Sequence, residues 1–234
     1  MRGALLSNPR RRAALPETDE VHVWRIALDS AAVDLPERLD TLSSDERARA
    51  DRFRFPSDRA AYVLTRAIAR ELLADYCGVA PAVLTFDYGP AGKPRLTDHN
   101  APRFNISHSG MLAVIAIARR EVGIDVERRK PPLPEVSPAV FSANEAREIR
   151  SADDPLIAFY DIWTRKEALV KAMGTGLGKS VSDLVVGRRG DVTIKGVHLR
   201  SLDIGAEYSG AVAMDSLRAD ALPRVIISEI SIER

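Results

Sequence analysis

Three carboxylates and one lysine have the spacing that chemistry would need. Asp125 and Glu127 are two apart in Gly123-Ile124-Asp125-Val126-Glu127, so on a strand both project from one face while Ile124 and Val126 take the other. Their Cα atoms would then lie only ~7 Å apart, close enough to converge on one hard cation, or to form no more than a solvated strand face. Trp163, Glu167 and Lys171 fall at i, i+4 and i+8 and share one face of a helix. Glu167 and Lys171 could be an ordinary helical ion pair. With Asp125 and Glu127 beside them, they could instead complete an oxygen-ligand set with a cation next to it, suited to a metal and a phosphate. His108 sits between two serines after Asn105, where its ring either caps a loop or meets an anion. Lys93, between Gly92 and Pro94, is either a solvated turn residue or a point charge for phosphate.

Two other features carry no chemistry. Gly174-Thr175-Gly176-Leu177-Gly178-Lys179-Ser180 imitates a phosphate loop, but Met173 occupies the place of the first glycine and a helix leads in where a strand is required. Cys77, the single cysteine, has no histidine nearby in sequence and reads as packing. One cysteine forms no internal disulfide, which fits a reducing, cytoplasmic setting.

The elements that must position these residues are legible in outline. Residues 21–28 read as a first strand. Ser43 with Glu46 forms a capping box that opens a short basic helix through Arg47, Arg49 and Arg52. Ser57 is a candidate N-cap for a helix on Ala61, Leu64, Ile68 and Leu72 that stops at Gly78. Residues 88–94 are turn chemistry, and 105–110 read as a loop. The apolar run 111–118 reads as a buried strand, paired as a hairpin with 123–126. Lys130 to Pro134 is the best linker, and Ser142 with Glu145 is a second capping box. Asp154 and Pro155 start a long helix that ends at Gly174, and 181–231 read as three or four antiparallel strands. Strands and helices in blocks, without a regular βαβ alternation, predict an α+β fold with antiparallel sheets packed against helices.

The chain has 234 residues, 34 Lys and Arg against 33 Asp and Glu, and a formal charge of +1. That balance excludes a general basic field for nucleic acid, so any polyanion site is local. No apolar run approaches the ~20 residues of a membrane-spanning helix, and no secretory signal follows Arg10-Arg11-Arg12.

Gly123 to Glu127, followed by Trp163-Thr164-Arg165-Lys166-Glu167-Ala168-Leu169-Val170-Lys171, closely resembles the paired signature of the 4'-phosphopantetheinyl transferases of the surfactin-synthetase type. Phe104-Asn105-Ile106-Ser107-His108-Ser109 and Gly92-Lys93-Pro94 match that family's intervening motifs in order and spacing. Residues 1–16 read as a flexible lead-in, and the resemblance implies a fold of two similar α/β halves in one chain, an N-terminal half at 17–122 and a C-terminal half at 123–234. It implies transfer of phosphopantetheine from coenzyme A to a serine of an acyl or peptidyl carrier protein. By that likeness Asp125, Glu127 and Glu167 match positions for Mg²⁺ (or Mn²⁺), and Arg49, Lys93, Pro94, Ser107, His108 and Lys171 match coenzyme-contacting positions. Glu46 stands where some members carry a basic residue. Glu167, Lys171 and Asp125 are the expected catalytic residues, with Glu167 as base. The chain is expected to be a cytoplasmic monomer without nucleic-acid or membrane partners. A coenzyme A binder that has lost transfer would have no need of the third carboxylate. An interaction protein that docks acidic domains through Arg47, Arg49, Arg52 and Arg54 is compatible with the transferase reading.

Overall fold

The computed structural model describes residues 13–28, 35–176, 181–216 and 222–230. Most of the lead-in and the Gly178-Lys179-Ser180 end of the glycine segment lie outside them. In chain order the elements are β1 (Glu20–Ala27), α1 (Leu35–Thr41), α2 (Ser44–Ala50), α3 (Pro56–Cys77), β2 (Phe86–Tyr88), β3 (Pro94–Leu96), β4 (Arg103–Ser109), β5 (Leu112–Ala118), β6 (Val122–Arg128), α4 (Ala143–Ser151), α5 (Pro155–Met173), β7 (Val192–Ile194), β8 (Val197–Leu202), β9 (Tyr208–Asp215) and β10 (Arg224–Ile230). The fold is α+β, built from two halves.

Two four-stranded sheets carry it, in the orders β10-β1-β5-β4 and β6-β9-β8-β7. Helix α3 covers the outer face of the first, where Leu64, Ile68, Leu72 and Tyr76 pack on Ile26, Ile115 and Ile117. Helix α5 covers the second, where Phe159, Ile162 and Leu169 meet Leu199, Ala211 and Ala213. The remaining faces close on each other through Val21, Val23, Val114 and Ala116 against Ile124, Val126, Val212 and Met214. Strand β5 thus contributes alternate residues to two different cores. That explains a continuous apolar run where a half-exposed strand would alternate.

Four expectations change. The first concerns residues 112–118 and 122–128, which are not a hairpin. Both edges of β5 are taken, by β1 and β4, so the chain leaves the first sheet and β6 pairs with β9 in the second. Next, residues 103–109 form strand β4 rather than a loop, because Phe104 is buried in the α3 core while the polar residues alternate toward β6. Third, β10 does not extend the second sheet. It returns to the first and runs parallel to β1. Lastly, helix α3 starts one residue before Ser57, with Phe55 as N-cap and Pro56 in the first turn, where a missing N–H does no harm.

The local signals around the site hold. Ser43 and Glu46, and Ser142 and Glu145, form reciprocal capping boxes. Helix α5 begins where the Ile157 N–H donates to Asp154 Oδ1 at 3.0 Å. It ends at Gly174, whose φ of 68° is left-handed.

Candidate active site

Asp125 and Glu127 leave β6 on the face away from Ile124 and Val126, as their spacing predicts, and that face lies under α5. Gly123 determines how closely the two elements meet. A Cβ there would stand 2.1 Å from the Ala168 carbonyl oxygen and 2.3 Å from the Ala172 nitrogen, so the helix backbone rests on the strand itself. The contact spans Ala168 to Ala172, and it sets Glu167 and Lys171 beside Asp125. The Lys171 ammonium donates to Asp125 Oδ1 at 2.6 Å and to the Ile124 carbonyl at 3.3 Å.

Strand β4 borders the same carboxylates. Ser107 Oγ donates to Asp125 Oδ1 at 2.8 Å, and Ser109 Oγ donates to Glu127 Oε2 at 2.6 Å. Ser107, expected against the coenzyme, therefore directs its hydroxyl at the acidic pair.

Burial pushes the pKa of Asp125 up, against the Lys171 charge and two side-chain hydrogen bonds. Burial raises Glu127 as well, with Asp125 adding repulsion. Glu167 is raised by burial, and Asp125 and Glu127 add to the shift. The three thus form one electrostatic group, short of positive charge. Among the described residues the buried Asp125 Oδ2 has no hydrogen-bond partner, although buried carboxylate oxygens are ordinarily satisfied. An unpartnered oxygen among hard, mutually repelling donors fits a divalent cation in chemical kind. Their position is not that of a ready cage: among the described residues no three Asp, Glu, His or Cys side chains gather tightly enough to hold an ion. The Lys171 ammonium supplies the positive charge that Asp125 meets.

From Lys171 a trough runs along β4 and the β2–β3 turn into the N-terminal half. One cavity, about 350 Å3, is lined by Gly92, Lys93, Pro94, Glu167 and Lys171 among others. A second, about 200 Å3, is lined by Arg49, Tyr62, Thr65, Arg66, Tyr88 and His108. Gly92, Pro94, Asn105 and Ile106 form a wall common to both. Glu167 therefore stands with Lys171 at one end of a cleft, Lys171 bonding Asp125 behind it, and Arg49, Arg66 and His108 stand at the other. Lys93 is engaged, donating to Glu121 Oε2 at 2.8 Å and to the Val122 carbonyl at 2.9 Å, and its burial lowers its pKa. His108 reaches the surface from β4. Surrounding protein and the Lys171 charge still hold its pKa below the usual histidine value.

Residues that the sequence reading left unassigned join the site. Arg66 donates to the Tyr88 hydroxyl at 3.1 Å and pairs with Glu46 at 3.1 Å. Thr65 is 2% exposed, and its hydroxyl, on the cavity wall, has no partner among the described residues. Glu46 is buried in its capping box between Arg66 and Arg70. The chain has a carboxylate at this position and supplies the cations from α3.

Two family models match the chain and abut. Residues 30–120 match "4'-phosphopantetheinyl transferase, N-terminal", and residues 121–209 match "4'-phosphopantetheinyl transferase superfamily". The 4'-phosphopantetheinyl transferase HetI from Nostoc sp. is 42% identical over 69% of this chain and 72% of its own length. The chain belongs to the 4'-phosphopantetheinyl transferase superfamily. A 4'-phosphopantetheinyl transferase from Bacillus subtilis is 28% identical over 74% of this transferase and 82% of the relative. The human L-aminoadipate-semialdehyde dehydrogenase-phosphopantetheinyl transferase is 31% identical over 73% and 61%. The boundary between the two matches falls just before β6, at the step where this transferase passes from its first sheet to its second.

Proposed function

We propose that this chain transfers phosphopantetheine from coenzyme A to a serine of an acyl or peptidyl carrier domain in a Mg²⁺-dependent reaction, with adenosine 3',5'-bisphosphate as the second product. The observation that carries the reading is the placement of Glu167 and Lys171 at one end of a cleft, with Asp125 bonded to Lys171 beside them, while Arg49 and Arg66 line the other end. A molecule with a phosphorylated nucleotide at one end and a diphosphate toward its middle fits that polarity.

Arg49, Arg66 and His108 would receive the nucleotide phosphate, and Gly92, Pro94, Asn105 and Ile106 would border the path between. The bound Mg²⁺, held by Asp125, Glu127 and Glu167, would supply charge neutralisation at the diphosphate. Phosphoryl transfer rests mostly on positioning and electrostatics, which these side chains are suited to provide. The serine oxygen bonds to the β-phosphorus as its bond to the bridging oxygen breaks, and the bridging oxygen leaves with the nucleotide. Lys171 moves from Asp125 to the departing phosphate. Glu167 takes the serine proton directly or through one water. Without a metal, burial raises its pKa above the ordinary Glu value, with Lys171 opposing and the two neighbouring carboxylates adding to the shift.

With both halves in one chain, the cleft is complete without a second copy, and we infer a monomer. Among the described residues no helix is long and apolar enough to cross a membrane. A cytoplasmic setting fits the single cysteine. Exposed Arg47 and Arg52 on and beside α2 offer an acidic carrier domain a docking edge. The test is incubation with coenzyme A, Mg²⁺ and a panel of apo-carriers, read by intact mass. Gain of the phosphopantetheine mass on a carrier serine supports the proposal. No gain on any apo-carrier, with coenzyme A shown to bind, would leave a coenzyme A binder.

A further inference from the structure

Among the described residues the edge of β6 that faces β4 has no backbone partner, since β6 pairs there with β9 alone and β4 with β5 alone. Its outward N–H groups are met by side chains instead. Ile124 N–H donates to Asn105 Oδ1 at 2.9 Å, Val126 N–H to Ser107 Oγ at 3.4 Å, and Arg128 N–H to Ser109 Oγ at 3.1 Å. Each donor lies 19 residues after its acceptor, so the two strands run parallel and β4 side chains take the place of carbonyls. Asn105, Ser107 and Ser109 are short polar residues at a spacing of two, which puts them on one side of β4.

The serines do more than the asparagine. A hydroxyl that accepts from a backbone N–H has its rotation restricted, and its own hydrogen is left to donate. Both hydroxyls donate to carboxylates on the same strand, Ser107 to Asp125 and Ser109 to Glu127. The anchor is the β6 backbone, so each carboxylate is held relative to the strand that carries it.

We propose that Ser107 and Ser109 are positioning residues that fix Asp125 and Glu127 in the orientation needed to share a divalent cation. The inference rests on the metal reading given above. Groups that orient metal ligands through hydrogen bonds typically change metal affinity by about 10–100-fold when lost. Ser109 is the cleaner test, because Ser107 also accepts from Lys171 at 3.4 Å.

The experiment compares Ser109→Thr with Ser109→Val, which are nearly isosteric and differ in the hydroxyl, with Ser109→Ala as the variant of least steric risk. Mn²⁺ binding in the presence of coenzyme A is measured by electron paramagnetic resonance, and the Mg²⁺ dependence of transfer alongside it. Loss of the hydroxyl should weaken Mn²⁺ binding about tenfold and raise the KM for Mg²⁺, with kcat at saturating Mg²⁺ within about threefold of the parent. Ser109→Thr should restore Mn²⁺ affinity. A purely structural role would lower the melting temperature of Ser109→Ala and leave Mn²⁺ affinity equal to that of the parent, and this result overturns the proposal. Should Ser109→Val fail to fold, Ser109→Ala against Ser109→Thr decides the same question. If the unmodified protein itself binds no Mn²⁺ with coenzyme A present, the metal reading falls and this inference falls with it. Binding by the parent with equal affinities for all variants removes only the inference.

Discussion

Gly123→Ala isolates the contact on which the site depends. The new Cβ would meet three backbone atoms of α5, the Ala168 oxygen at 2.1 Å, the Ala172 nitrogen at 2.3 Å and the Lys171 carbonyl carbon at 2.9 Å. Ordinary van der Waals contact begins near 3.4 Å, so the helix must withdraw by more than an ångström, and backbone has no rotamer to yield. Lys171 is inside that contact and bonds Asp125 at 2.6 Å, so the withdrawal separates Glu167 and Lys171 from β6. A displacement of ~1 Å in a site of this kind costs on the order of 100-fold in rate. Overpacking of the same kind costs about 1–3 kcal/mol in stability, or roughly 5 °C in melting temperature for a chain of this size. Transfer to an apo-carrier, read as kcat/KM by intact mass, and thermal unfolding measure the two effects. A Gly123→Ala protein with kcat/KM within about threefold of the parent and an unchanged melting temperature would refute the claim that this close approach builds the site.

Glu167→Gln should remove transfer while leaving coenzyme A binding largely intact, and it should also leave the metal-free protein at least as stable as the parent near neutral pH. A carboxyl whose pKa is higher folded than unfolded takes up a proton on folding, so its contribution to stability falls as pH rises from the ordinary Glu value of 4.5 through the raised one. The stability advantage of the variant should therefore shrink toward about pH 4, and melting curves that diverge in the opposite sense would contradict the assigned direction. Glu46→Gln should cost roughly 3 kcal/mol, because it leaves Arg70, paired at 2.6 Å and almost wholly buried, facing no charge. A melting temperature within about 2 °C of the parent would count against that pair. Arg47→Glu with Arg52→Glu should raise the KM for an acidic carrier about tenfold at low salt and spare coenzyme A affinity, and the reverse pattern would assign these arginines to the coenzyme.

Much of the site was legible because its chemistry is local in sequence. Period two places Asp125 and Glu127 on one face, and the 3.6-residue repeat places Glu167 above Lys171. Capping residues fixed the ends of α2, α4 and α5 for the same reason, since a cap is a contact over three or four positions. What depends on distant partners was not legible. Residues 112–118 and 122–128 look like a hairpin until β1 is known to occupy the other edge of β5. Strand β10 carries no mark that it belongs beside β1, whose residues pair with it from 204 positions earlier. The polar alternation of Asn105, Ser107 and Ser109 suggests a loop until β6 is set against it, and only then becomes a ladder. Lys93 and Glu46 have the residue types expected of surface charge, but burial gives each a fixed partner.

Asp125, Glu127 and Glu167 are proposed to share one divalent ion. Crystals grown with coenzyme A and Mn²⁺, measured at the manganese absorption edge, locate the ion directly by its anomalous signal. The expected result is one peak at coordination distance from all three carboxylates, with the Lys171 ammonium withdrawn from Asp125 toward the diphosphate. A peak elsewhere, or a fully occupied coenzyme with no peak beside Asp125, would contradict it.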